Sequence, residues 1–253
     1  MTDAPLTPHF VIGGAPRSGT TALATVLDQH PQIVMARPFI PEPKVFAIPW
    51  SEPGEVLARY AQYFGPETVD LIRGEKSSQY LYLEDVPDEM ARLLPETRTI
   101  FIVRDPVARA YSHWAWSRRN GFEDLPFDEA LELNGRRDSP LPERPWIRPF
   151  DYLLGARYAD HARRWIVALG ERARFVLFEE LVESRGRAEE LQEWIGVEPR
   201  DLGTLPEGLE NETVRDTPPV DPELAAALRE RLAPAVEDFA SLTGLDVGRW
   251  GIG

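Results

Sequence analysis

The 253-residue sequence contains no cysteine. That absence removes disulfides, thiolate metal sites and cysteine nucleophiles together, and it fits a reducing compartment. No apolar run approaches the roughly 20 residues needed to cross a bilayer, and the first residues, MTDAPLTPHF, hold no signal-peptide core. A soluble, cytoplasmic protein is expected. Linkers, repeats and low-complexity tracts are also missing, so residues 1–253 read as one domain, long enough for a substantial core. The four histidines, His9, His30, His113 and His161, lie too far apart for ligand spacing, and no metal is expected. Positive charge is scarce as well: 28 Lys and Arg stand against 42 Asp and Glu, a net charge of −14. Nucleic acid and anionic membrane both require an attraction that this balance does not supply, so neither is an expected partner.

What the chain does have is a strand, a glycine turn and a helix start at His9 to Thr21, HFVIGGAPRSGTT. Phe10, Val11 and Ile12 are the apolar run. Gly13, Gly14, Ala15 and Pro16 make the turn, and Arg17-Ser18-Gly19-Thr20-Thr21 opens a helical pattern. The first turn of a helix leaves N–H groups without partners and carries partial positive charge, which makes it an anion site. Ser18, Thr20 and Thr21 add hydroxyls, Gly19 conformational freedom and Arg17 a fixed cation. Gly14 and Gly19 have the spacing of the nucleotide-triphosphatase loop, but Thr20 stands where that loop needs lysine.

A second strand-to-helix junction lies at Thr99 to Trp114, TIFIVRDPVARAYSHW. Ile100 to Val103 reads as a buried parallel strand; Asp105 and Pro106 are an N-cap and a first helical residue. Arg104 then sits at the strand's carboxyl end and Ser112 about two turns into the helix. An arginine is suited to phosphate because its planar fork gives paired, charge-assisted hydrogen bonds. Between the junctions lie Glu42, in a proline-rich extended segment (37 to 47), and the strand end Leu71 to Gly74 followed by Glu75-Lys76-Ser77-Ser78-Gln79-Tyr80. A helix is expected over Pro53 to Phe64, a short strand over Gln32 to Met35, an amphipathic helix over Asp151 to Leu169, a strand over Arg174 to Phe178, and an acidic helix start at Glu179. Pro140 to Pro149 reads as an ordered loop or flap, within an arginine cluster of Arg136, Arg137, Arg144 and Arg148.

The A-P-R-S-G-T-T stretch resembles the 5′-phosphosulfate loop of sulfotransferases that use 3′-phosphoadenosine 5′-phosphosulfate (PAPS). The spacing Arg104, Asp105, Pro106, Arg109, Ser112 resembles the same family's 3′-phosphate motif, and G-E-K-S-S-Q-Y and Gly155, Tyr158 and His161 resemble two further segments. The resemblance, to heparan-type and bacterial sulfotransferases, implies a single α/β domain with a mainly parallel sheet flanked by helices, like P-loop nucleotide hydrolases. It implies PAPS as cosubstrate without metal; the net charge argues against a polyanionic acceptor, and a small-molecule or carrier-bound acceptor with a hydroxyl, phenol or amine is expected. Arg17, Ser18, Gly19, Thr20 and Thr21 would hold the phosphosulfate, Arg104 and Ser112 the 3′-phosphate, and Arg215 would cover the nucleotide. Glu42 would act as base, Arg17 would stabilise charge, and Lys76 would contact the sulfonate or orient the acceptor. The aromatic residues Phe39, Phe46, Trp50, Tyr80, Tyr82, Trp114, Trp116, Trp146, Phe150 and Tyr152 are expected near the cleft. Two other classes share the loop: a P-loop kinase or nucleotide hydrolase, with Asp105 holding Mg²⁺, and a non-catalytic nucleotide-binding module.

Overall fold

All five residues of the first strand, β1 (Phe10–Gly14), are buried. A strand covered on both faces belongs inside a parallel sheet, and β1 is the middle one of five. The computed structural model describes residues 6–205 and 217–252. After β1 come α1 (Thr20–Leu27), β2 (Ile33–Met35), α2 (Pro53–Arg59), β3 (Ile72–Lys76), α3 (Val86–Leu93), β4 (Arg98–Val103) and α4 (Pro106–Arg119). Then follow α5 (Phe127–Glu132), α6 (Tyr158–Leu169), β5 (Ala173–Leu177), α7 (Phe178–Glu183), α8 (Arg185–Ile195) and α9 (Pro222–Thr243). The sheet order is β2-β3-β1-β4-β5, and every pairing is parallel. This is the single α/β domain that the sequence leads one to expect.

Successive strand residues face opposite sides, so the apolar runs feed two layers. Val11, Phe101 and Val103 join Trp165 of α6 and Phe239 of α9 on one side. Phe10, Ile12, Ile100 and Ile102 join Leu23 and Leu27 of α1 and Leu191 and Ile195 of α8 on the other. Phe101 packs between Trp165, tilted at 4.7 Å, and Phe175, stacked at 4.8 Å; truncating such a side chain to alanine costs about 3–5 kcal/mol. Because β3, β1 and β4 are neighbours and parallel, their carboxyl ends open side by side, where ligands of such sheets collect.

Two local expectations need correction. The helix expected from Asp151 starts only at Tyr158. Ahead of it Leu154–Ala156 forms only a 3₁₀ turn, and carbonyls of this stretch are taken up by other elements: Tyr152 O accepts from Arg109 and Gly155 O from Tyr82. The first helix starts at Thr20 rather than Arg17, since Arg17 and Gly19 have φ of 71° and 87°. By contrast, Asp105 caps α4 as expected, accepting from Val107 N and Ala108 N at 2.8 and 2.9 Å. The proline-rich loop between α5 and α6 is held at both ends: Arg137 pairs with Glu123, and the Tyr152 hydroxyl donates to the same carboxylate at 2.6 Å. No helix among the described residues is long and apolar enough to cross a membrane.

Candidate active site

The loop after β1 closes tightly on its surroundings. A Cβ at Gly19 would lie 2.6 Å from the Phe178 ring, and the positive φ there also favours glycine. Ser18 is fully buried in this turn. Arg17 Nε donates to Ser112 Oγ at 3.3 Å, which joins the two junctions, and Arg104 Nη1 donates to Arg17 O at 3.3 Å. The Tyr158 hydroxyl donates to Arg104 O at 3.0 Å and fixes that backbone. Arg109 is 1 % exposed and donates to Pro16 O, to Tyr152 O and, at 3.2 Å, to His113 Nδ1. Gly155 makes room for it, since a Cβ there would lie 2.4 Å from the guanidinium.

Arginines therefore converge behind the loop. Burial, and then Arg104, Arg109 and Arg119, push the Arg17 guanidinium down to about 10. The hydrogen-bond partners of Arg104 and Arg109 are carbonyl oxygens and an imidazole rather than carboxylates. Arg104 Nε is buried with no hydrogen-bond partner among the described residues. A buried guanidinium donor left without a hydrogen-bond partner is what a phosphate oxygen would satisfy.

The end of β3 is arranged differently. Lys76 Nζ lies 2.9 Å from Glu42 Oε1 and donates to Thr21 Oγ1 at 3.1 Å, so it bridges the carboxylate to α1. Ser78 Oγ donates to Glu42 Oε1 at 2.6 Å, and Lys44 Nζ stands 3.5 Å from Oε2. Oε2 itself is buried and accepts no hydrogen bond from the described residues. Arg17, Thr20, Thr21, Glu42 and Lys76 all line one cleft of about 370 Å³.

Of the residues expected in the site, Arg17, Thr20, Thr21, Glu42 and Lys76 line this cleft, while Ser112 and Arg104 contact Arg17 without forming part of the lining. Arg215 lies outside the described residues. The aromatic expectation fails in large part: Tyr82 and Trp116 line the cleft, whereas Phe46, Tyr80 and Trp114 are core side chains. Of the arginine cluster, Arg144 and Arg148 reach the cleft, while Arg137 is committed to Glu123. His113, the reserve candidate for the base, is held well below the ordinary histidine range by burial and then by Arg109 and Arg17. Missed altogether were Lys44 and Ser78 as neighbours of Glu42. A Lys two positions past the glutamate was the one local signal, and the Ser78 contact is legible only in three dimensions.

A profile of the sulfotransferase family matches residues 8–66, which takes in β1, its loop and the Glu42 segment. Over 264 residues the chain is 26% identical to heparan sulfate glucosamine 3-O-sulfotransferase 3B1 of Homo sapiens, an alignment covering 95% of this chain and 64% of that protein. Over 184 residues it is 30% identical to bifunctional heparan sulfate N-deacetylase/N-sulfotransferase 3 of Mus musculus, covering 63% of this chain and 19% of that one. The crystal structure of a sulfotransferase from Alicyclobacillus acidocaldarius superimposes with a TM-score of 0.78 at 24% identity, over 97% of this chain and 99% of the other. The chain is similar to sulfotransferases in its first 66 residues and over most of its length in fold. It spans under two thirds of the length of these two relatives. The match to the bacterial sulfotransferase establishes the sulfotransferase fold over nearly all of the domain, with β1 and its loop at the centre of the sheet. Among the described residues no three His, Asp or Glu side chains gather as metal ligands would.

Proposed function

We propose that this chain transfers a sulfonate group from PAPS to an acceptor hydroxyl or amine, releasing adenosine 3′,5′-bisphosphate. One observation carries the reading: Arg17, backed by Arg104 with a buried donor that has no hydrogen-bond partner among the described residues, lines a cleft that also holds Glu42, whose Oε2 accepts no hydrogen bond from those residues. Arg104 and Ser112 would bind the 3′-phosphate, and Arg17 with Ser18 to Thr21 the phosphosulfate. Arg215 is proposed to cover the nucleotide.

Glu42 would take the acceptor proton on Oε2 as the acceptor atom attacks sulfur. The bond from sulfur to the 5′-phosphate oxygen breaks in line, and its electron pair stays on that oxygen. Arg17 stabilises the charge that develops there; a guanidinium keeps its proton near neutral pH, so it acts electrostatically. Lys76, already 2.9 Å from Glu42, would neutralise the sulfonate and fix the carboxylate. Much of the rate then comes from positioning and charge stabilisation, as in phosphoryl transfer.

A Mg²⁺-dependent kinase is disfavoured by Asp105. Its Oδ1 caps α4 through two N–H groups and its Oδ2 lies 3.6 Å from Arg229, which leaves it committed to structure. The test has two parts. Calorimetry is expected to show the 3′,5′-bisphosphate binding far more tightly than ADP or ATP, without Mg²⁺. Radiolabelled PAPS is then offered with three acceptors: 2-naphthol, an N-desulfated heparan oligosaccharide, and a hydroxyacyl group on phosphopantetheine. Transfer to any of them supports the enzyme. Tight binding with no transfer to acceptor or water leaves a nucleotide-binding module, and affinity indifferent to the 3′-phosphate overturns the reading.

A further inference from the structure

Glu75 is the neighbour of Lys76 on β3 and faces the opposite side of the sheet, where it is fully buried. Its carboxylate accepts three hydroxyl hydrogens: from Tyr60 at 2.6 Å, Ser77 at 2.6 Å and Tyr80 at 2.7 Å. Burial raises its pKa, the three hydroxyls oppose that, and the charge of Glu42 adds to the rise.

Two of these hydroxyls do a second thing. Ser77 Oγ accepts from Lys44 N at 2.8 Å, and the Tyr80 hydroxyl accepts from Phe46 N at 3.0 Å. A hydroxyl has one hydrogen; once that hydrogen is given to Glu75, only lone pairs remain to face the amides. The backbone caught in this way is under strain, since Lys44 has φ of 50° in the left-handed region. A non-glycine residue keeps such a conformation when its surroundings over-determine it. Glu42 stands two residues before Lys44, and its Oε1 is held by Ser78 from the same strand end.

We propose that Glu75 is a positioning residue. By orienting Ser77 and Tyr80 it locks the backbone at Lys44 and Phe46, and so aims Glu42 and the Lys44 ammonium into the cleft. The inference rests on the reading of Glu42 as the base.

Because Glu75→Gln disturbs a fully buried group, the two arms are removed one at a time, as Ser77→Ala and Tyr80→Phe. Amide hydrogen exchange is expected to quicken about fivefold at Lys44 in the first variant and at Phe46 in the second, one hydrogen bond's worth. Exchange at Ser18 to Thr21 stays unchanged, and affinity for adenosine 3′,5′-bisphosphate stays within about twofold. Single-turnover sulfonate release from PAPS, to the panel acceptors or to water, falls about tenfold in Ser77→Ala but less than about twofold when Glu42→Gln is already present, because coupled residues are not additive. Equal losses in both backgrounds, or unchanged exchange at Lys44 and Phe46, overturn the proposal. A wild-type chain that releases no sulfonate at all, while exchange responds as stated, overturns the function of Glu42 and leaves the lock on the backbone standing.

Discussion

The two walls of the cleft handle charge in opposite ways. Behind the loop, Arg17, Arg104 and Arg109 crowd together, and the partners of Arg104 and Arg109 are carbonyls and a neutral imidazole. At the end of β3, Glu42 is already matched by Lys76 and Lys44 and steadied by Ser78. Among the described residues Arg104 and Arg109 pair with no carboxylate, whereas Glu42 is ion-paired before anything binds. A repulsive arginine cluster stores a preference for anions, and the net charge of −14 makes this local concentration necessary. A neutralised carboxylate keeps one oxygen in place without reorganisation, which is what a positioned base needs.

If the contrast is functional, damage to each wall should have a different signature. The largest effect is expected for Glu42→Gln, with turnover lowered about 10²- to 10⁴-fold and bisphosphate affinity near the wild-type value, measured by single-turnover transfer and calorimetry. Wild-type turnover in this variant would move the base elsewhere. Arg104→Ala should act in the opposite sense, weakening bisphosphate binding by about 2–4 kcal/mol, the range for truncating one partner of a desolvated charge pair. An unchanged dissociation constant would remove Arg104 from the nucleotide site.

Acid should loosen the support of the arginine wall through His161. This ring packs edge-on against Tyr82, whose hydroxyl holds Gly155 O beside Arg109. Burial foremost, with Arg164 adding, pushes the imidazole from 6.5 down to about 4. A histidine that stays neutral in the folded state binds fewer protons there than when unfolded, so stability rises with pH across this window and is lost as pH falls from about 6.5 toward 4. Urea unfolding at pH 7 and pH 4.5 should show a loss of up to roughly 3 kcal/mol that is reduced in His161→Gln. The same slope in both proteins would dismiss the histidine. The smallest effect is expected for Ser112→Ala, about 1 kcal/mol in bisphosphate affinity, one hydrogen bond's worth. A loss as large as that of Arg104→Ala would mean that Ser112 mainly orients Arg17, 3.3 Å away.

How much of this was legible in the sequence depends on the kind of information. Apolar runs at Phe10 to Ile12 and Ile100 to Val103 located the central strands because burial on both faces writes itself as continuous hydrophobicity. Asp105-Pro106 located α4 because its cap is chemistry between adjacent residues. The segment before Tyr158 misled because its apolar spacing matches a helix, while its carbonyls are claimed by Arg109 and Tyr82 from distant parts of the chain. Aromatic residues were expected in the cleft for their type alone, yet Phe46, Tyr80 and Trp114 serve the core. Glu75 looked like a motif letter beside Lys76. Only the alternation of β3, which sends the two side chains to opposite faces, separates their roles.

Glu123 has a consequence for how such a domain can change over time. Arg137 and Tyr152 grip this one carboxylate, so the chain between them leaves and returns at a single point. Arg144, Ile147 and Arg148, carried on that chain, line the same cleft as Arg17 of the loop after β1. Lengthening a loop whose ends are already fixed is cheap, about 0.6 kcal/mol for each doubling. The stretch is therefore a replaceable cassette: its length and side chains are free to diverge, and with them that part of the cleft lining, while the loop after β1 remains under separate constraint.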